Sequence, residues 1–247
     1  MTIVGVSGAA GRMGRLVVGA VGAADGLTLG HAYDPAGGPG VEVDPSPMAG
    51  CDVVVEFTHP GVTMENLARW ASMGVDTVVG TSGFSADRIE EARGLFDGSG
   101  ATCLIVPNFS IGAVLMMRFA AMAAPHFAAA EVIELHHDHK ADAPSGTSIA
   151  TAEGMAAAGG PARRHVDGTE LLAGALGADV DGVQVHSVRL PGLLAHQEVL
   201  LGNEGELLTI RHDSTDRVSF LPGILLAVRG VGSLEGPLVV GLEPLLP

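Results

Sequence analysis

Cysteine, aromatic side chains and positive charge are all scarce in this chain. Of its 247 residues only Cys51 and Cys103 are cysteines, each inside an apolar run. Two thiols cannot build a disulfide framework, so a reducing, cytoplasmic setting is expected. Lysine and arginine number 13 against 28 acidic residues, giving a formal net charge of −15 and a sequence pI near 4.9. That field repels nucleic acid and anionic lipid, which excludes a polyanion-binding role. No apolar run approaches the roughly 18 to 20 residues of a membrane span, and "MTIVGVSGAAG" lacks the basic start of a signal peptide. No membrane association and no secretory leader are therefore expected. What the chain does have is 47% hydrophobic residues and 36 glycines beside 4% aromatics. This suits an α/β protein with many tight turns, large enough to bury a real core. Any small anionic ligand must be met by a local cluster of donors.

The order of elements follows from periodicity. "TIVGV" (2–6) is a β-branched apolar run followed at once by "SGAAGRMG" and a helical pattern to about residue 21. "LTLGHAYD" (27–34) reads as a second strand ending in an acid, and "PAGGPGVEVDPSPM" (35–48) as a loop. "DVVVEFT" (52–58) is a buried strand. "HPGVTMENLARWASMG" is a helix with an early Pro-Gly and a terminal glycine. "VDTVVGTSGF", the serine-opened helix "SADRIEEARGLF" and the strand "ATCLIVPNFS" continue the alternation, which means βαβ units and a parallel sheet.

After about residue 108 the rhythm changes. A long apolar helix, "IGAVLMMRFAAMAAPHF", leads to the strand "AEVIELHHDH" and to an alanine-rich helix over about 147–158. Residues 159–182 read as a glycine-rich loop. "VQVHSVRL", "AHQEVLLG" and "ELLTIRHDS" form a mixed, mostly antiparallel sheet, and "RVSFLPGILLAVRGVGSL" a final helix. The expected organisation is an N-terminal parallel-sheet domain of residues 1–108, rejoined by 217–247 because chain ends often pack together. An α+β domain of residues 109–216 lies between.

Gly8, Gly11 and Gly14 stand between the first strand and first helix, where glycine permits a tight turn and close approach to a pyrophosphate. The helix N-terminus adds N–H donors. The spacing is GxxGxxG rather than GxGxxG, so the context carries the reading: strand before, helix after, and Asp34 ending the second strand. Asp34 suits the adenosine ribose hydroxyls and disfavours a 2′-phosphate, which Arg12 could partly offset. Its alternative role is to start a turn before Pro35. Thr81 and Ser82 in "GTSGF" and Asn108 in "VPNFS" follow apolar strands and could bond the nicotinamide or its ribose, or simply form turns.

The densest chemistry lies in "ELHHDHKADAPSGTS" (134–148). If 134–140 is extended, His137 and His139 face one side and His136, Asp138 and Lys140 the other. An i, i+2 histidine pair can ligate zinc, but no cysteine or acid cluster completes a site and Lys140 opposes a cation, so no metal is expected. Pro144 stiffens the turn, Gly146 leaves backbone N–H groups approachable and Thr147 opens a helix, an arrangement that binds carboxylate or phosphate. Histidine and lysine beside it carry protons. An anion seat, a proton source and a dinucleotide crevice together say reduction of an anionic substrate by hydride plus proton.

"ELHHDHKADAPSGT" resembles the signature of the 4-hydroxy-tetrahydrodipicolinate reductase (dihydrodipicolinate reductase) family. "VSGAAGRMG", "FTHP", "VVGTSGF", "VPNFSIGA", "HSVRLPGLLAHQEV" and "LTIRHDSTDRVSFLPG" resemble further blocks of it in order, over nearly the whole chain. The resemblance implies a Rossmann-type domain and a second domain that binds a small dicarboxylate and forms a homotetramer through its sheet. It implies NAD(P)H-dependent reduction of 4-hydroxy-tetrahydrodipicolinate to tetrahydrodipicolinate, with loss of water, in lysine biosynthesis via diaminopimelate. His136 would be proton donor and acceptor, Lys140 a proton donor, His137 a substrate contact, and Gly146 and Thr147 the seat of a substrate carboxylate. NADH or NADPH would meet Gly8, Ala9, Ala10, Gly11, Arg12, Met13, Asp34, Gly80, Thr81, Ser82, Val106, Pro107, Asn108 and Phe109. Ser82 stands where a second threonine is usual. Ala10 stands where other members carry glycine or lysine, which removes one contact for the 2′-phosphate of NADPH.

The residues present disfavour three rival functions. A non-catalytic nucleotide-binding regulator would have lost Lys140 or the first two histidines. An aspartate or homoserine dehydrogenase-like enzyme lacks a histidine–lysine block followed by SGT. A zinc hydrolase would bind stoichiometric metal and no nucleotide.

Overall fold

Short β-branched runs buried on both faces set the first sheet. The structure, a computed structural model, describes residues 1–161 and 169–247. Strands β1 (Thr2–Ser7), β2 (Leu27–Tyr33), β3 (Val53–Glu56), β4 (Asp76–Val79) and β5 (Cys103–Ile105) alternate with helices. These are α1 (Arg12–Ala23), α2 (Pro60–Ser72) and α3 (Ala86–Phe96). All four residues of β3 are buried, as a parallel sheet covered on both faces requires. The strand order is β11-β5-β4-β3-β1-β2 with every pairing parallel, where β11 is Leu238–Val240. The chain steps outward from β1 to β2 and then in the opposite direction from β3, which puts the topological switch point between β1 and β3.

Local chemistry explains the helix starts. In α2 the His59 ring accepts from Gly61 N, Pro60 occupies the first turn, and Thr63, Asn66, Leu67, Trp70 and Ala71 make the buried stripe at helical spacing. Ser85 caps α3 by accepting from Arg88 N. Trp70, Leu67, Phe96 and Met48 are among the large side chains of this core. Cys51 and Cys103 are free and buried, and burial pushes both thiols up.

The second sheet runs β10-β9-β6-β8-β7. Its strands are β6 (Ala129–His136), β7 (Ala178–Val180), β8 (Val183–Arg189), β9 (Ala195–Asn203) and β10 (Glu206–Ser214). Only β6–β8 is parallel, so the sheet is mixed and mostly antiparallel. α4 (Ile111–Ala123) and α5 (Gly146–Ala157) bring Met116, Ala120, Ala152 and Met155 onto Val132, Val185, Val199 and Leu201.

The chain divides into two units, Met1–Ile111 with Phe220–Pro247, and Gly112–Ser219. Two strands stand where the sequence reads otherwise. β7 lies inside the stretch read as loop, of which 162–168 fall outside the described residues. β11 follows α6 (Leu221–Gly230), the helical core of the last segment. Both strands are three residues long and flanked by glycine, too short for alternation to register. No helix among the described residues is long and apolar enough to cross a membrane.

Candidate active site

In the first unit a cleft of about 460 Å³ opens at the carboxyl ends of β1, β2 and β3, lined by Gly8, Gly11, Asp34, Phe57, Thr58 and Asn66 among others. This is where open α/β sheets hold ligands. Gly8 has φ +83°, and a Cβ on Gly14 would strike the Gly8 carbonyl, so α1 reaches the loop only with glycine at both positions. The N–H groups of Gly8 and Ala9 both donate to the Tyr33 carbonyl, at 2.9 and 3.0 Å. α1 has no side-chain cap at Gly11, and its first turn holds exposed Arg12 and partly buried Met13. The close backbone approach and uncapped helix start fit a dinucleotide pyrophosphate.

Asp34 combines both of its anticipated settings. It accepts from Ala36 N at 3.0 Å, starting a turn, and from Ala10 N at 3.2 Å, tying the glycine loop to the end of β2, while still lining the cleft. Gly80 lies against the rings of Phe57 and Phe109, whose centroids are 5.6 Å apart. Thr81 is buried with its hydroxyl aimed at the Glu56 and Thr58 carbonyls, both 3.4 Å away, whereas Ser82 is exposed. Asn108 accepts from Ser110 N at 2.9 Å, Val106 N donates to Val79 O, and Pro107 is exposed. Thr81 and Asn108 thus shape their turns as well as bordering the sheet's carboxyl end.

Beneath the cleft sits a side chain that motif reading missed. Glu56 is fully buried and accepts from Thr58 N (3.2 Å), Thr58 Oγ1, Asn66 Nδ2 (3.3 Å) and Trp70 Nε1 (3.0 Å).

In the second unit β6 ends at His136, and residues 137–140 form a turn closed by Lys140 N donating to His137 O at 3.2 Å. The extended reading of 134–140 is therefore corrected. Alternation stops at His136 because the chain turns back, and the side assignment for His137, Asp138, His139 and Lys140 lapses. The rings of His137 and His139 lie 6.4 Å apart, and no metal-holding group of three or more His, Cys, Asp or Glu occurs among the described residues.

The turn is joined to the strand through a buried carboxylate. Glu134, fully buried, receives Arg189 Nη1 at 2.9 Å and Nη2 at 2.8 Å, Ser145 N at 3.3 Å, and contacts His136 Nδ1. Burial alone would raise its pKa. Hydrogen bonds with His136, Arg189 and Ser187, helped by the charge of His136, outweigh that and hold it at about 2. Arg189 also donates to Val188 O at 2.8 Å and Asp142 O at 2.6 Å, so all four of its Nη protons are committed, while its buried Nε has no partner among the described residues. Lys140 Nζ donates to both Asp142 oxygens at 2.7 and 2.8 Å, and this bond holds the Asp142 carboxyl below the usual range.

The same carboxylate reaches the next helix. Ser145, whose N–H donates to Glu134, is the N-cap of α5 and accepts from Ser148 N at 3.2 Å. Gly146 is the first helical residue, exposed, and a Cβ there would meet nothing within 4 Å. The fold does not require glycine at that point, and the space beside the helix start is open. Thr147 follows, its carbonyl accepting from Thr151 Oγ1 at 2.7 Å. A hydrogen-bonded network thus links His136, Glu134 and Arg189, with Arg189 on the Asp142 carbonyl, Lys140 on the Asp142 carboxylate, and a branch from Glu134 to the start of α5.

Two family profiles fit the chain, one described as "Dihydrodipicolinate reductase, N-terminus" over residues 2–109 and one as "Dihydrodipicolinate reductase, C-terminus" over 112–246. The chain belongs to the dihydrodipicolinate reductase family. Among its reductase relatives, a protein of Nocardia farcinica named 4-hydroxy-tetrahydrodipicolinate reductase is 55% identical, with 100% of this chain and 99% of that one covered. One of the same name from Mycolicibacterium smegmatis is 52% identical over 98% of each. A solved reductase, "Dipicolinate bound Dihydrodipicolinate reductase from Paenisporosarcina sp. TG-14", superposes with TM-score 0.88 at 37% identity over the full length of both chains. An amine dehydrogenase of Mycobacterium smegmatis, at 13% identity and TM-score 0.63 over 96% of this chain and 94% of that one, shares the fold alone.

Against that reductase signature, four partners were not anticipated: Glu134, Asp142, Ser145 and Arg189. Glu134 carried a usable signal, since residues i and i+2 of a strand share a face and Glu134 precedes His136 by two. Arg189 carried none, because it lies 55 positions from Glu134 and meets it only through strand pairing.

Proposed function

We infer that this protein reduces 4-hydroxy-tetrahydrodipicolinate to tetrahydrodipicolinate, releasing water and converting NAD(P)H to NAD(P)+, in lysine biosynthesis via diaminopimelate. Substrate, reduced nicotinamide and one proton give product, oxidised nicotinamide and water, so the protein must supply a proton path as well as binding. The observation that carries the reading is the hydrogen-bonded chain joining His136 and Lys140 to the start of α5. His136 exchanges a proton with the substrate and Lys140 donates one. His137 contacts the substrate, and the Gly146 and Thr147 backbone at the positive end of α5 seats a carboxylate. A solved relative carrying dipicolinate, itself a dicarboxylate, supports this class of ligand.

The nicotinamide, when bound, supplies the hydride. The glycine loop from Gly8 to Met13 receives its pyrophosphate, Asp34 the adenosine ribose, and the turns at 80–82 and 106–109 the nicotinamide end. The Asp34 carboxylate tips the choice toward NADH. The protein works in the cytoplasm as a homotetramer assembled through its second sheet. β10 is an edge strand with Leu207 and Leu208 exposed, which supports such an assembly.

The test is an assay in which pyruvate and aspartate semialdehyde are condensed by a synthase and nucleotide oxidation is followed with NADH and NADPH separately. Oxidation that requires the condensed product is the expected result, faster with NADH. A folded protein that binds nucleotide but oxidises none would overturn the reading. Sedimentation of the same preparation checks the tetramer.

A further inference from the structure

We propose that Glu134 is a positioning residue that fixes the tautomer of His136, making Nε2 the nitrogen that exchanges the reaction proton. The proposal rests on the reading of His136 as proton donor and acceptor, and goes beyond it by assigning the atom and the residue that selects it.

The geometry leaves few alternatives. Apart from His136, the hydrogen-bonding neighbours of the Glu134 carboxylate all have a proton to donate: Arg189 Nη2 and Ser145 N on Oε1, Arg189 Nη1 on Oε2, and the Ser187 hydroxyl. A carboxylate so surrounded is ionised, and an ionised carboxylate only accepts. The bond between Oε2 and His136 Nδ1 must then be made by a proton on Nδ1. Rotation of the carboxylate to release Nδ1 is blocked, because Arg189 grips both oxygens while its remaining Nη protons hold Val188 O and Asp142 O. The ring keeps one nitrogen for exchange. Nε2 has no hydrogen-bond partner among the described residues, and the His136 side chain is 15% exposed.

The step balances. With both ring nitrogens protonated, the Nε2–H bond breaks and its electron pair stays on the ring. The proton bonds to the substrate atom left electron-rich by hydride addition, and the ring remains neutral with its proton on Nδ1. Glu134 stays ionised throughout, acting only on orientation and tautomer.

The test needs no mutant at first. Heteronuclear NMR of the imidazole nitrogens of the full-length protein, with His136 identified by the resonance lost in His136→Ala, should show Nδ1 protonated throughout the titration and Nε2 as the nitrogen that changes. A neutral ring with its proton on Nε2 overturns the proposal. The second test is a double-mutant cycle on turnover. Glu134→Gln should lower kcat by about tenfold or more with nucleotide Kd unchanged, and should cost little further in a His136→Ala background. An equal loss in both backgrounds would make Glu134 merely structural and sink the proposal while leaving His136 in place. Full turnover by His136→Ala would instead bring down the reading of His136 itself, and this proposal with it. If Glu134→Gln does not fold, the NMR result alone decides.

Discussion

Glu56 and Glu134 are both fully buried near the carboxyl end of a strand, one in each unit, yet they are satisfied by opposite means. Glu56 draws only on neutral donors, two from Thr58 and one each from Asn66 and Trp70. These bonds fasten α2 to β3 beneath the cleft at the carboxyl ends of β1, β2 and β3, and none of the partners is charged. Glu134 is held by a guanidinium and shares a hydrogen with an imidazole, so its charge is expressed through a group that can protonate something else. A buried acid bonded to neutral donors holds its neighbours in place, whereas one bonded to a histidine also sets the orientation of a titratable ring. The first unit is thus tied at this depth by neutral bonds, and the second by a charged brace under His136.

The largest effect expected is on turnover. His136→Ala and Lys140→Ala should each lower kcat by about 10²- to 10⁴-fold, the usual range for a positioned proton carrier. Nucleotide Kd, measured by fluorescence titration, should stay nearly unchanged. Loss of nucleotide binding in both folded variants would break the division of roles between the units.

Stability separates the two glutamates next. Glu134→Ala strands the Arg189 guanidinium and should destabilise by about 3–5 kcal/mol. Glu56→Gln, which keeps one acceptor and turns an amide toward donors, should destabilise by about 1–3 kcal/mol. Chemical denaturation ranks them, and equal losses would erase the contrast.

Acid sharpens the contrast further. The Glu134 carboxyl is held at about 2 against an ordinary value of 4.5. Its contribution is fully present above about pH 4.5 and is lost as pH falls toward 2, because the unfolded chain takes up the proton first. Unfolding followed from pH 6 downward, roughly the range over which a carboxylate linkage acts, should show a steep acid limb that flattens in Glu134→Gln.

The smallest stability effect belongs to Gly146→Ala. Nothing in the fold opposes the added methyl group, and alanine favours the helix by up to about 1 kcal/mol, so the melting temperature should hold or rise slightly. Substrate KM should rise several-fold if the helix start is where a carboxylate sits. An unchanged KM would remove Gly146 from the site.

Much of this was legible in the sequence, for identifiable reasons. The parallel sheet announced itself through β-branched runs separated by helical spacing, and Ser85 marked the start of α3 by its residue type alone. The glycine loop was legible because its steric demand at Gly8 and Gly14 admits few other residues. Glu56 was not, since a strand acid reads alike whether it faces water or the interior, whereas Glu134 was marked only by its i, i+2 spacing from His136. The turn after His136 was hidden as well: an alternating polar run looks like a strand until a backbone bond such as Lys140 N to His137 O closes it. Strand β11, three residues beside glycine and proline, falls below the length at which any period can be counted.

That last strand bears on the order of assembly. β11 pairs with β5 and forms the edge of the first sheet, but translation delivers it after all of Gly112–Ser219. While the ribosome works through the intervening unit, the β5 edge has its backbone donors and acceptors open to any passing strand. The nucleotide unit, first to be started, is thus the last to be closed.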